Sequence, residues 1–173
     1  MDPLEKENLV RKALPIAWIL WGALLGSLVI YLVVAYVISQ QTPPESDLPA
    51  DSLQKPLLYV LALLGAGLIV LSHFVRRLLL RPKTGPAPAA QPGPGPIVTP
   101  FPGQHPLVGK YLAALLVSLA LCEAIGIFGL VLFFLGRDMM TLYVFIAVSA
   151  AAMVYHRPKE EELSEFLTQA TGG

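Results

Sequence analysis

The chain has one cysteine, Cys122, among 173 residues. No intramolecular disulfide can therefore brace it, and a metal centre built on cysteine pairs is excluded. Charge is scarce too: 14% of residues are charged against 55% apolar, with 12 acidic and 12 basic side chains in balance. Without a net basic face there is no counterion release to drive binding to phosphate backbones, so no nucleic-acid partner is expected. The chain has no HExxH-type metal pattern, no glycine-rich phosphate loop, and no second acid, histidine or serine cluster at one depth. The expectation is a protein that is not an enzyme and carries no cofactor and no metal. Of the histidines, His105 falls in a proline-rich stretch and His156 at the edge of the last apolar run, where each reads as solvated.

What the sequence has instead is apolar length. Four runs are long enough to cross a hydrocarbon core that needs about 20 helical residues: Leu14 to Ile38, Pro56 to about Leu78, Leu112 to Leu135, and Met139 to Tyr155. The first is too long for the h-region of a signal peptide and has no small-x-small cleavage site after it, so it reads as a retained span with Pro15 in its first turn. Lysine and arginine are distributed unevenly around these runs. Lys6, Arg11, Lys12, Arg76, Arg77, Arg81, Lys83, Lys110, Arg157 and Lys159 fall on one side of a four-span arrangement, and Lys55 and Arg137 on the other. The positive-inside rule makes the rich side cytoplasmic. The fold expected is all-α: a multi-pass cell-membrane protein with four transmembrane helices as two hairpins and both termini in the cytoplasm.

The connections differ in chemistry. Residues 40–55 form a polar, acidic external loop with Pro43, Pro44 and Pro49. Between Pro82 and Pro106 more than half the residues are proline or glycine, which predicts an extended cytoplasmic linker between the hairpins. Only Gly136, Arg137 and Asp138 join the last two spans, so these pack antiparallel with Asp138 as N-cap. The domain plan is thus an N-terminal segment 1–13, a hairpin 14–80, a linker 81–107, a hairpin 108–156 and a tail 157–173. In the tail, Glu160 to Glu162 lead into Leu163, Phe166 and Leu167 at helical spacing, which predicts a short amphipathic helix lying on the protein or at the interface.

One charge stands in the middle of this grease. Glu123 is at the centre of the third run, roughly 18 Å from either end at helical rise. An ionised, unpaired carboxylate there costs several kcal/mol, so Glu123 is expected to stay protonated or to find a partner. His73, about 15 Å nearer the cytoplasm at helical rise, is too far away. Hydroxyls at matching depth are Ser27 and Tyr31 on the first span and Ser149 on the fourth, each able to hydrogen-bond a protonated carboxyl. Small residues at Ala114, Ser118, Cys122, Gly126 and Gly129 form a ridge that admits a close neighbour, as do Gly22 and Gly26 on the first span. Cys122 reads as a small buried apolar residue of this ridge.

The stretch Ala120-Leu-Cys-Glu123-Ala124-Ile-Gly-Ile-Phe128-Gly129-Leu130 resembles the carboxylate-bearing helix of the proteolipid c subunit of rotary ATP synthases. Glu123, Ala124, Phe128, Gly129 and Leu130 match that pattern, within residues 112–135. The family's glycine-repeat first helix and its Arg-Gln-Pro loop have no counterpart here. What the resemblance implies is a reversibly protonated carboxyl on a closely packed helix. Two readings stay open: a proton-handling or ion-coupling subunit with Glu123 as its proton site, and a non-catalytic structural or assembly component in which protonated Glu123 is interhelical glue. Both imply the lipid bilayer as surroundings and a homo-oligomer or other membrane subunits as partners.

Overall fold

A computed structural model describes residues 3–41, 50–80 and 106–171. Among the described residues all five elements are helices: α1 (Pro3–Gln41), α2 (Ala50–Leu80), α3 (Pro106–Gly136), α4 (Met139–Tyr155) and α5 (Glu160–Thr171). Residues 81–105 of the expected proline-rich linker, with His105, and residues 42–49 of the expected external loop lie outside the described residues.

Helices begin earlier than the apolar runs do. Residues 3–13 are the first three turns of α1, so Pro15 is a helix-interior proline and not a first-turn one. It removes one backbone bond to the preceding turn, a loss the long apolar helix around it tolerates. Likewise α2 starts at Ala50, which makes residues 50–55 helical where a loop was expected. Pro56 falls inside the helix two turns from its start.

α3 is the centre of the bundle and packs against α1, α2 and α4. It is apolar on every side, yet its buried residues, from Val108 and Leu112 to Cys122, Ile125, Leu132 and Phe133, outnumber those of any other helix. Neighbour contacts fix the directions. Ser149 of α4 meets Cys122 while Phe145 meets Gly129, so α4 runs antiparallel to α3. Trp21 Nε1 of α1 donates to the Met153 carbonyl at 2.9 Å and Leu28 lies over Gly126, so α1 runs parallel to α3. A Cβ at Gly65 of α2 would lie 3.6 Å from Ile125, and Arg76 reaches His156, so α2 runs with α4. The starts of α1 and α3, the ends of α2 and α4, and α5 therefore share one end of the bundle.

α3 and α4 are joined by Arg137 and Asp138. Arg137 takes the left-handed conformation (φ 54°) and its N–H donates to the Phe133 carbonyl at 2.8 Å, closing the end of α3. Asp138 caps α4 by accepting from the Met140 and Thr141 amides at 2.9 and 3.3 Å and from the Thr141 hydroxyl. These hydrogen bonds, the Thr141 side chain first, hold the Asp138 carboxyl below its ordinary range. α5 docks on the bundle, with Leu163 and Leu167 fully buried and Phe166 nearly so. Tyr111 stacks at 6.5 Å from Phe166, and Lys6 donates to Thr168.

Among the described residues three helices are long and apolar enough to cross a membrane, over 6–41, 55–79 and 106–136. α4, with 17 residues, rises about 26 Å, a little under the roughly 30 Å hydrocarbon thickness; it reaches spanning length only together with α5, across a 51° bend. The outer faces agree with a lipid setting. Leu63 is 77% exposed, Ile19 70% and Val70 69%, and apolar surface this continuous is not sustained in water.

Candidate functional site

Glu123 lies near the middle of α3 and faces α1, where two hydroxyls converge on one of its oxygens. Ser27 Oγ is 2.5 Å and Tyr31 OH 2.8 Å from Glu123 Oε1. Their positions follow from the seam of α1: Val10, Ala13, Ala17, Leu28 and Ala35 are its buried residues, and Ser27 and Tyr31 flank the same stripe. Ser149 is not part of this group. It is fully buried and donates to the Cys122 carbonyl at 2.7 Å, so its one hydrogen ties α4 to α3 through the backbone.

Proton accounting constrains the cluster. Ser27 Oγ is also 2.7 Å from the carbonyl of Leu24, which can only accept. A hydroxyl owns one hydrogen, and Ser27 has two oxygen neighbours that both ask for it. Both contacts are met if Ser27 shares its one hydrogen between the two oxygens, or if a protonated Glu123 donates to Ser27 while Ser27 donates to Leu24.

The small-residue positions divide. Ser118 and Cys122 are fully buried, and a Cβ at Gly126 would meet Leu28 at 2.6 Å and one at Gly129 would meet Phe145 at 2.5 Å. These residues let α1 and α4 approach α3 beside Glu123. Gly22 and Gly26 behave otherwise: nothing lies within 4 Å of either Cβ position. At 100° per residue they stand nearly opposite the Ala17 stripe, so the expected packing role inside the bundle fails for them.

A second polar cluster occupies the shared end of the bundle. Arg76 is 8% exposed and His156 3%. Arg76 Nη1 donates to His156 Nδ1 at 3.0 Å and to its carbonyl at 3.2 Å, and Nη2 pairs with Glu162 Oε2 at 2.6 Å. Ser72 Oγ lies 3.2 Å from His156 Nε2. His156, expected to be solvated, is instead enclosed, because the chain turns there from α4 into α5 and closes over it. Burial first, then the Arg76 charge and His73, push its imidazole down to about 4. The Tyr111 hydroxyl is buried beside this cluster, near Arg76 and the Lys159 backbone, with no hydrogen bond of full geometry among the described residues. The sequence offers one clue to the group, two arginines directly before the three leucines that close α2. Nothing local pairs residues 76, 156 and 162.

Among the described residues no group of three histidine, cysteine or acidic side chains could hold a metal ion. The fold and these two clusters define a helical protein with membrane-spanning apolar helices, a half-buried carboxyl midway along α3 and a charged clasp at one end. No family model, no curated protein and no solved structure matches the chain.

Proposed function

We propose that the protein is a four-span, multi-pass cell-membrane protein with both termini cytoplasmic, and that it acts as a proton-handling or ion-coupling subunit with Glu123 as its reversible proton site. The observation that carries this reading is the Ser27–Glu123–Tyr31 group. A protonated Oε1 can donate to Ser27 while it accepts from Tyr31, and Ser27 can turn to donate to it when the proton leaves. An ionisable group at this depth is functional by default. The local resemblance of residues 112–135 to the proteolipid c subunit points to the same chemistry. One acid within the four apolar spans makes half a path at most, so the subunit works in a homo-oligomer or beside other membrane subunits.

The second reading also has an observation behind it. The Glu123 hydrogen bonds join α1 to α3, so a permanently protonated carboxyl would serve as glue in a structural or assembly component. Glu123→Gln separates the two. A proton site loses proton-linked uptake in reconstituted vesicles while folding is retained; glue leaves the Gln variant silent, whereas Glu123→Leu weakens the helix pair by about 1 kcal/mol. A lipid-soluble carbodiimide should label Glu123, and absence of labelling together with a silent Gln variant would remove the proton-handling reading. For orientation, reporters fused after Gly95 and Gly173 should read cytoplasmic and one near Asp47 external; an external reading at Gly95 contradicts the arrangement.

A further inference from the structure

α2 and α4 both lean on α3, and the hydrogen bonds that join them among the described residues are those of His156 with Ser72 and Arg76 at the clasp. Along the rest of their length a trough separates them. It consists of an inner hollow of about 180 Å³ floored by Ile125 and an outer one of about 600 Å³, which share Ile69 and Val148. The walls are apolar, formed by Ala62, Ala66 and Val70 on one side and Val144, Ala151 and Ala152 on the other. At its outer end the trough opens into a polar cleft of about 580 Å³, with His73, Tyr155 and His156 common to both.

The dimensions match half a membrane. From Ala62 to His73 the trough follows eleven residues of α2, or about 16 Å at helical rise, against about 15 Å for one leaflet of hydrocarbon. The charges of the cleft are balanced. Arg76 and Glu162 neutralise each other in their ion pair. That leaves Arg77 and Lys159 facing Glu161 and Glu165, all four exposed at the cleft. A ligand matching this lining carries one negative and one positive group at the end of an alkyl chain.

We infer that the α2–α4 trough and its charged cleft bind one phospholipid of the phosphatidylethanolamine class. An acyl chain fills the trough, the phosphate meets Arg77, Lys159 and His73, and the primary ammonium donates to Glu161 and Glu165. A quaternary ammonium has no hydrogen to donate and loses those bonds. A net-negative headgroup would leave the two glutamates facing negative charge.

The test uses the full-length protein in detergent, with native mass spectrometry counting retained lipids of identical acyl chains. Phosphatidylethanolamine should be retained as a single molecule about tenfold more tightly than phosphatidylcholine or phosphatidylglycerol, the scale of one charge-assisted hydrogen bond. Glu161→Gln with Glu165→Gln should reduce it to the phosphatidylcholine level, and Ala151→Trp, at an exposed wall position, should expel it by filling the trough. Glycerophosphoethanolamine, which has the headgroup but no chains, should not compete. Equal retention of all three lipids by the unmodified protein overturns the proposal, as does preference for phosphatidylglycerol, competition by the chain-free headgroup, or unchanged retention by Ala151→Trp.

Discussion

The clasp makes stability depend on acidity in a way the structure quantifies. His156 is enclosed between α2, α4 and α5 with Arg76 against one ring nitrogen and Ser72 against the other, and its imidazole titrates near 4 in the folded protein. In the unfolded chain the ordinary value of about 6.5 applies. A proton is thus taken up more readily by the unfolded chain. Stability is fully present above about pH 6.5 and is lost as pH falls toward 4, by roughly 1 kcal/mol at pH 5.5 and roughly 2 to 3 kcal/mol at pH 4.5. For a protein of this size the first figure corresponds to a drop of about 2 to 4 °C in melting temperature. The assay is the thermal melt of the purified protein in one detergent across that range. The control is His156→Gln, whose amide oxygen can still accept from Arg76 but does not titrate, and whose melting temperature should change less over the same window. A wild-type melt that is flat from pH 7 to 4.5, or a His156→Gln profile with the same acid limb, would refute the reasoning.

Two further outcomes concern packing and backbone. Gly129→Ala should destabilise the α3–α4 pair by about 1–3 kcal/mol, because the new Cβ meets Phe145; Gly22→Ala should be neutral or stabilising by up to about 1 kcal/mol from helix propensity alone. Equal effects in a melting assay would show that the two faces of the bundle have been misassigned. Arg137→Gly should raise stability by about 0.5 to 1 kcal/mol by relieving the left-handed backbone there, and a lowered melting temperature would show that the Arg137 side chain, 6.0 Å from the Phe133 ring, matters more than its backbone.

The helices were legible because bilayer-length apolar runs admit few other readings, and Asp138 because an acidic residue before a helix has one usual task. Glu123 with Ser27 and Tyr31 could be assembled by matching depths, since helical rise converts sequence position into height. Height alone does not give azimuth, which is why Ser149 and the Gly22–Gly26 pair were misjudged. Ser149 is at the right level but turns toward Cys122, and the two glycines face away from α3. Gly136 and Arg137 teach a similar lesson. Sequence favours glycine for the left-handed turn, yet the helix includes Gly136 and places Arg137 there. The clasp was out of reach, because Arg76 and Glu162 stand 86 positions apart and come together only through the chain reversal at His156.

The central claim is that Glu123 carries a proton that it can release. Infrared difference spectroscopy of the reconstituted protein, comparing wild type with Glu123→Gln, isolates the carbonyl stretch of that one carboxyl. The account predicts a protonated-carboxyl band at neutral pH that is absent from Glu123→Gln, shifts when Ser27→Ala or Tyr31→Phe removes a hydrogen bond, and disappears reversibly as pH is raised while the protein stays folded. A band that persists unchanged to the alkaline limit of folding would make Glu123 fixed glue, and the absence of any band at neutral pH would mean that the carboxyl is ionised; either result contradicts the account.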